Sequence, residues 1–202
     1  MVAVTGATLL SACGTAFDAP AAIVAGTEIS QAQVKHELDV LLKQPQFAQQ
    51  VQGPAGAERK REFTRQLLAL LIEQNVIARY AKAQRITVTP TELETTLSSV
   101  IQQQGGKKQF DAALARLGLT LDEVTENIRL SLVARKVKQA VAQAEFGPNA
   151  TQQQQDQAFR AWETQQYRAG GVRVNPRFGR FDPSKGSICR IDSTAATTTC
   201  AA

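Results

Sequence analysis

The chain has 202 residues, 43% of them apolar, only 5% aromatic, with a formal net charge of +5. That length holds one domain with a real core, or one domain plus tails, and no stretch reaches the roughly eighteen consecutive apolar residues that a membrane-spanning helix needs. The mild positive charge suits an anionic lipid surface, a cell-wall polymer or acidic partners; nucleic acid is not expected, because aromatic residues do not interleave with the basic ones as base stacking requires.

The first residues form a short apolar leader that ends in Leu10-Ser11-Ala12-Cys13-Gly14. Small residues before a cysteine suit a peptidase cleft that takes an extended chain, and the segment resembles the lipobox of bacterial lipoproteins. The resemblance implies a signal peptide over 1–12, lipidation of Cys13 and a linker over 13–20. Residues 1–12 hold no Lys or Arg and a shorter apolar run than such leaders have, so a start further upstream and a chance match both stand.

β-Branched residues around Ala25-Gly26 predict two short strands and a tight turn over 21–29. Ser30-Gln31-Ala32-Gln33 is a capping-box pattern and predicts a helix from about Gln31 to Leu42, which Pro45 ends or bends. His36 lies in this helix beside Glu37 and Asp39 without a second His or a Cys nearby, and reads as surface rather than ligand. Residues 52–56 read as a loop. The longest helix is expected from about Ala57 to Gln84, with Leu67, Leu68, Leu70, Leu71, Ile72, Val76 and Ile77 making it apolar on more than one side. Such a helix is expected at the centre of the core.

Thr89-Pro90-Thr91-Glu92 is a second capping box, opening a helix with Leu93, Leu97, Val100 and Ile101 on its inner face. Gly105-Gly106 stops it. Lys107 to Leu117 reads as a compact helix closed by Gly118, and Thr120 to Glu123 caps a long helix that runs to about Ala144. After the breaker 146–150, Thr151 to Arg168 is a last helix in which Phe159 and Trp162 share a face and are expected to dock on the helix of about Ala57 to Gln84. Val172 to Val174 is a short strand, and residues 183–202 read as a flexible tail.

The order of these elements resembles the N-terminal chaperone domain of the SurA/PrsA family of extracytoplasmic foldases. The matching pieces are Ile23 to Ser30, Leu67 to Ala81, Ile86 to Glu94, Phe110 to Thr120, Ile128 to Leu130, and the returning segment Val172 to Gly179. Together they cover about residues 21 to 182. The resemblance implies a mainly α, SurA N-terminal or trigger-factor-C-like helical chaperone fold, with a small β patch that joins the two ends. It implies an apolar cradle for unfolded or newly secreted polypeptides, with Phe47, Leu97, Ile101 and Phe110 as candidate lining residues or, equally, ordinary core. In the family a parvulin isomerase domain commonly precedes the returning segment. Here only 146–150 fill that place, and the sole histidine is His36, so no catalytic residue carries over.

With no catalytic constellation, neither enzyme activity nor a cofactor nor a metal is expected. The reading is a lipid-anchored chaperone or holdase facing the outside of a bacterial cell membrane. An envelope scaffold with one dedicated partner is the alternative, and a prolyl isomerase a more distant one. With Cys13 lipidated, Cys189 and Cys200 are the even pair that an oxidising compartment favours. A disulfide between them would contribute roughly 2–3 kcal/mol through the closed loop; two unpaired thiols on a disordered end is the other reading.

Overall fold

The local signals of the sequence become the elements of the fold. In the computed structural model, which describes residues 19–191 and the backbone of 198–199, strands β1 (Ala22–Val24) and β2 (Thr27–Ile29) flank a two-residue turn. Ala25 and Gly26 both take positive φ, 49° and 87°, the combination whose twist matches that of a hairpin. The pairing runs Ala22↔Ile29 to Val24↔Thr27. The other edge of β1 is taken by β3 (Arg173–Val174), with Ala22 opposite Val174, and the Asn175 N–H donates to the Ala21 carbonyl at 2.9 Å. The two ends of the described chain are therefore joined in one small antiparallel patch.

Helix α1 (Gln31–Leu41) starts where the Ser30 hydroxyl accepts from the Gln33 N–H. Pro45 does more than end it. It opens a short helix, α2 (Pro45–Gln50), from the first helical position, where proline's missing N–H costs nothing. The long helix α3 (Gly56–Ala83) then begins at Gly56, whose added Cβ would lie 2.0 Å from the Val51 carbonyl oxygen. Only glycine lets the end of α2 come that close.

Two of the remaining helices keep the caps expected at Thr89 and Thr120, and Thr151, expected as helix, caps a third. Complete capping boxes at Thr89/Glu92, Thr120/Glu123 and Thr151/Gln154 open α4 (Pro90–Gln103), α6 (Leu121–Phe146) and α7 (Gln152–Ala169). Helix α5 (Lys107–Leu117) ends at Gly118 in the left-handed region, φ 64°. Glu92 also receives Lys136 of α6 at 2.7 Å, while the same ammonium donates to the Thr87 carbonyl at 2.8 Å. Lys136 thus holds the start of α4 on α6, and with the capping hydrogen bonds it keeps the Glu92 carboxyl down at about 2. Thr89→Ala removes the hydroxyl that caps α4. It is expected to lower stability by about 1 kcal/mol in urea unfolding at neutral pH, with the folded far-UV spectrum unchanged.

Helix α3 runs through the core. Leu68 and Ile72 are fully buried against Val24 and Ile29 of the hairpin, Val34 of α1, Val137 and Val141 of α6, and Ala158 and Trp162 of α7. Trp162 stacks on Phe159 and meets Tyr80 of α3 edge-on, ring centroids 5.3 and 4.9 Å apart, so the last helix docks on the long one as expected. A second, smaller cluster joins α4 to α6 through Leu93, Ile128 and Leu132, with Leu97, Val100 and Val124 packed on it.

The domain boundary expected at 182 needs correction. Strand β4 (Arg180–Asp182) pairs with β5 (Ser187–Ile191), Arg180 opposite Cys189, and Ile188 and Cys189 are buried. Residues 183–186 are the hairpin turn rather than the start of a tail: the Ser184 N–H and hydroxyl both donate to Asp182 Oδ1, and Gly186 takes φ 62°. Gly179, at φ 130°, would put a Cβ 2.3 Å from the Cys189 carbonyl oxygen. The hairpin packs on the body through Phe181, whose ring meets Tyr167 edge-on at 5.1 Å. Strand β6 (Thr198–Thr199) pairs with β5, Arg190 opposite Thr199. Cys189 is disulfide-bonded. Cys13 and Cys200, along with the signal peptide expected over 1–12, lie outside the described residues.

Candidate binding groove

A helix whose apolar residues exceed one stripe cannot bury all of them against one core. In α3, Leu68, Leu71, Ile72 and Val76 point inward, and Leu70 is left 46% exposed. Leu70 and Ile77 face Leu130, Val133 and Ala134 of α6 across a groove of about 310 Å³, rimmed by Glu73, Gln74, Asn127 and Ser131. Apolar surface in such a groove stays in water until a partner covers it. Burying the exposed half of a leucine returns on the order of 1 kcal/mol.

Two further hollows adjoin the groove. One, of similar size, lies between Gln66, Ala69, Leu70 and Glu73 of α3 and Ser187 and Ile188 of β5. At its end Arg65, only 8% exposed, is held by Glu58 at 3.0 Å and Glu62 at 2.7 Å. The other, about 190 Å³, is lined by Glu73 of α3, by Arg160, Glu163 and Tyr167 of α7, and by Lys185 of the β4–β5 turn. Glu73 belongs to all three.

Glu73 and Glu163 are half-buried and hydrogen-bond each other through their carboxyl groups. Burial, then the neighbouring Glu73 charge, pushes the Glu163 carboxyl up to about 7, and burial also raises that of Glu73. The Tyr167 hydroxyl donates to Glu163 Oε1 at 3.4 Å, and its own ionisation is pushed up by burial and the two carboxylates. Glu163 therefore changes charge around neutral pH, beside a Glu73 carboxyl that burial also makes easier to protonate.

The candidate lining residues named from the sequence fall elsewhere. Phe47 of α2 is half-buried edge-on to Phe63, at 5.5 Å. Leu97 is half-buried on the α4–α6 cluster, and Ile101 half-buried on the same helix. Phe110 is 4% exposed, which makes it core and removes it from any open surface. None of the four lines the α3–α6 groove. His36 of α1 meets Glu123 of α6 at 3.3 Å on the surface, and no cluster of potential metal ligands occurs among the described residues. No helix among them is long and apolar enough to cross a membrane.

What the sequence did offer toward the groove was the surplus of leucines in α3. The carboxyl pair left no local trace, since Glu73 and Glu163 meet only through the packing of α7 on α3.

The family of SurA-like N-terminal domains matches this chain over residues 2–138, from its second residue well into α6. Residues 139–202, which include α7 and the closing strands, lie beyond that match. Chaperone SurA of Pseudomonas putida is 32% identical over 75 residues, which are 37% of this chain and 18% of that protein. The stretch in common is thus less than a fifth of that relative's length.

Proposed function

The chain belongs to the family of SurA-like N-terminal domains, and from there we propose that it is a chaperone that binds unfolded or newly secreted polypeptides. The observation that carries this reading is the α3–α6 groove with Leu70 exposed on it. Clients of a general chaperone share little beyond exposed apolar side chains, and an open, shallow apolar groove accepts many of them. Phe47, Leu97 and Ile101, half-buried on α2 and α4 away from this groove, remain separate candidates for client contact.

Its finer features belong to the same proposal. The protein is anchored through lipid on Cys13 and works on the extracytoplasmic side of a bacterial membrane; Leu10-Ser11-Ala12-Cys13 and the basic balance of the chain support this. It acts as a holdase without isomerase chemistry of its own. The brevity of the link 147–151 between α6 and α7 supports that, since a domain needs ten times as many residues or more. Cys189 pairs with Cys200, supported by the β5–β6 register, in which the partners step inversely from Ile191↔Thr198 to Arg190↔Thr199.

The test is aggregation of a chemically unfolded protein diluted into buffer with the chain from Gly14 onward. Suppression is expected at near-stoichiometric ratios, and Leu70→Ser is expected to weaken it several-fold while leaving the melting temperature unchanged. Unabated aggregation would overturn the holdase reading.

A further inference from the structure

The groove and the carboxyl pair share a wall, because Glu73 borders both. We propose that they form a composite site for a client segment that lays an apolar side chain over Leu70 and sets a Lys or Arg, a few residues away, against Glu73 and Glu163. This rests on the chaperone reading and adds to it a preference for basic over acidic clients.

Charge and spacing carry the inference. Among the described residues that line the apolar groove, Glu73 is the only charged one. Leu70 and Glu73 are one helical turn apart, about 5 Å along the axis, and an extended peptide spans that in one to two residues. A lysine or arginine stem then has apolar wall to lie on while its head reaches the carboxylates.

The pair is only partly neutralised within the protein, Arg160 drawing the Glu163 carboxyl down against burial and the Glu73 charge. The charged or titratable groups around it are Arg160 and Tyr167 from α7, Lys185 from the β4–β5 turn, and Glu62 and Arg65 further along α3. Arg65 is held by Glu58 and Glu62. Arg160 and Lys185 border the hollow, yet Glu163 still sits at about 7, so neither cation offsets the burial and the Glu73 charge. An arriving ammonium or guanidinium would do so, and it would favour the ionised form of Glu163. The preference therefore strengthens as pH rises through neutrality and Glu163 gains its charge.

The experiment uses the full chain and three short labelled peptides with one apolar core, flanked by Lys, Gln or Glu, with binding read by fluorescence anisotropy. At about pH 8 the Lys peptide is expected to bind on the order of 5-fold tighter than the Gln peptide, and the Glu peptide more weakly still. At about pH 6 the spread is expected to narrow, with most of the Glu163 charge gone. Glu73→Gln and, separately, Glu163→Gln should narrow it at the higher pH, whereas Leu70→Ser should weaken all three peptides alike.

The net charge of +5 works the other way, since it draws the Glu peptide, so a Lys preference cannot come from the overall field. Equal binding of the three peptides would overturn the basic preference and leave the chaperone reading standing. So would a Lys preference that persists unchanged in both Gln variants. Binding of none of them would overturn both.

Discussion

Trp162→Ala is expected to cost about 3–5 kcal/mol, the range for deleting a large buried aromatic side chain. The ring is 8% exposed and joins α7 to α3 through Phe159 and Tyr80, so its loss opens a cavity at the seam between the two helices. Trp162→Phe is expected to behave differently. The indole Nε1 is buried without a hydrogen-bond partner, and phenylalanine removes that donor along with part of the ring. The relief of an unpaired polar group offsets much of the lost area, leaving the variant within about 1 kcal/mol of the parent. Trp162 is the chain's sole tryptophan, so urea unfolding has to be followed by far-UV circular dichroism. If both variants lose the same amount, the unpaired N–H carries no cost.

Cutting the chain after Gly171 is expected to remove on the order of 5 kcal/mol, most of what holds a domain of this size together. The cut takes away β3, which covers the free edge of β1, and it takes Val172, Phe178, Phe181 and Ile188 off the main core. Thermal unfolding should lose its cooperative transition. A sharp transition within a few degrees of the full chain would mean that the helices stand without the returning segment. The full chain under reducing conditions separates the share of the Cys189 disulfide from that of the strands.

The elements that could be read from the sequence were those whose cause lies within four or five residues. Thr89 with Glu92, Thr120 with Glu123, and Gly118 after Leu117 set helix ends by local hydrogen bonds and backbone freedom, and those ends fall where they were expected. The joining of the ends by Ala22 and Val174 came instead from the family resemblance, since no local signal pairs residues so far apart.

Other features depended on which faces meet. With Leu67, Leu68, Leu70, Leu71 and Ile72 nearly continuous, a helical period cannot say which leucine faces out, and Leu70 was counted as core. Phe110 could be read as cradle or as ordinary core, and only the packing decides for core. Strand β5 was taken as tail, because Ser187-Ile188-Cys189-Arg190-Ile191 is short and set among Ser, Thr and Gly. The binding groove was thus only half visible: its apolar surplus could be read, its position and its carboxyl pair could not.

The pairing of Ala22 with Val174 also has a consequence for the order of events as the chain emerges and folds. Helices form from neighbours within microseconds, and the β1–β2 hairpin needs only a two-residue turn. The contact that completes the sheet must close a loop of most of the chain, an entropic toll that local structure does not repay. Until α7 has docked and carried Arg173 and Val174 back, β1 keeps a bare edge of amide and carbonyl groups open to pairing with other chains. A protein that we propose guards others against aggregation is, during its own maturation, exposed to the same hazard at its first strand.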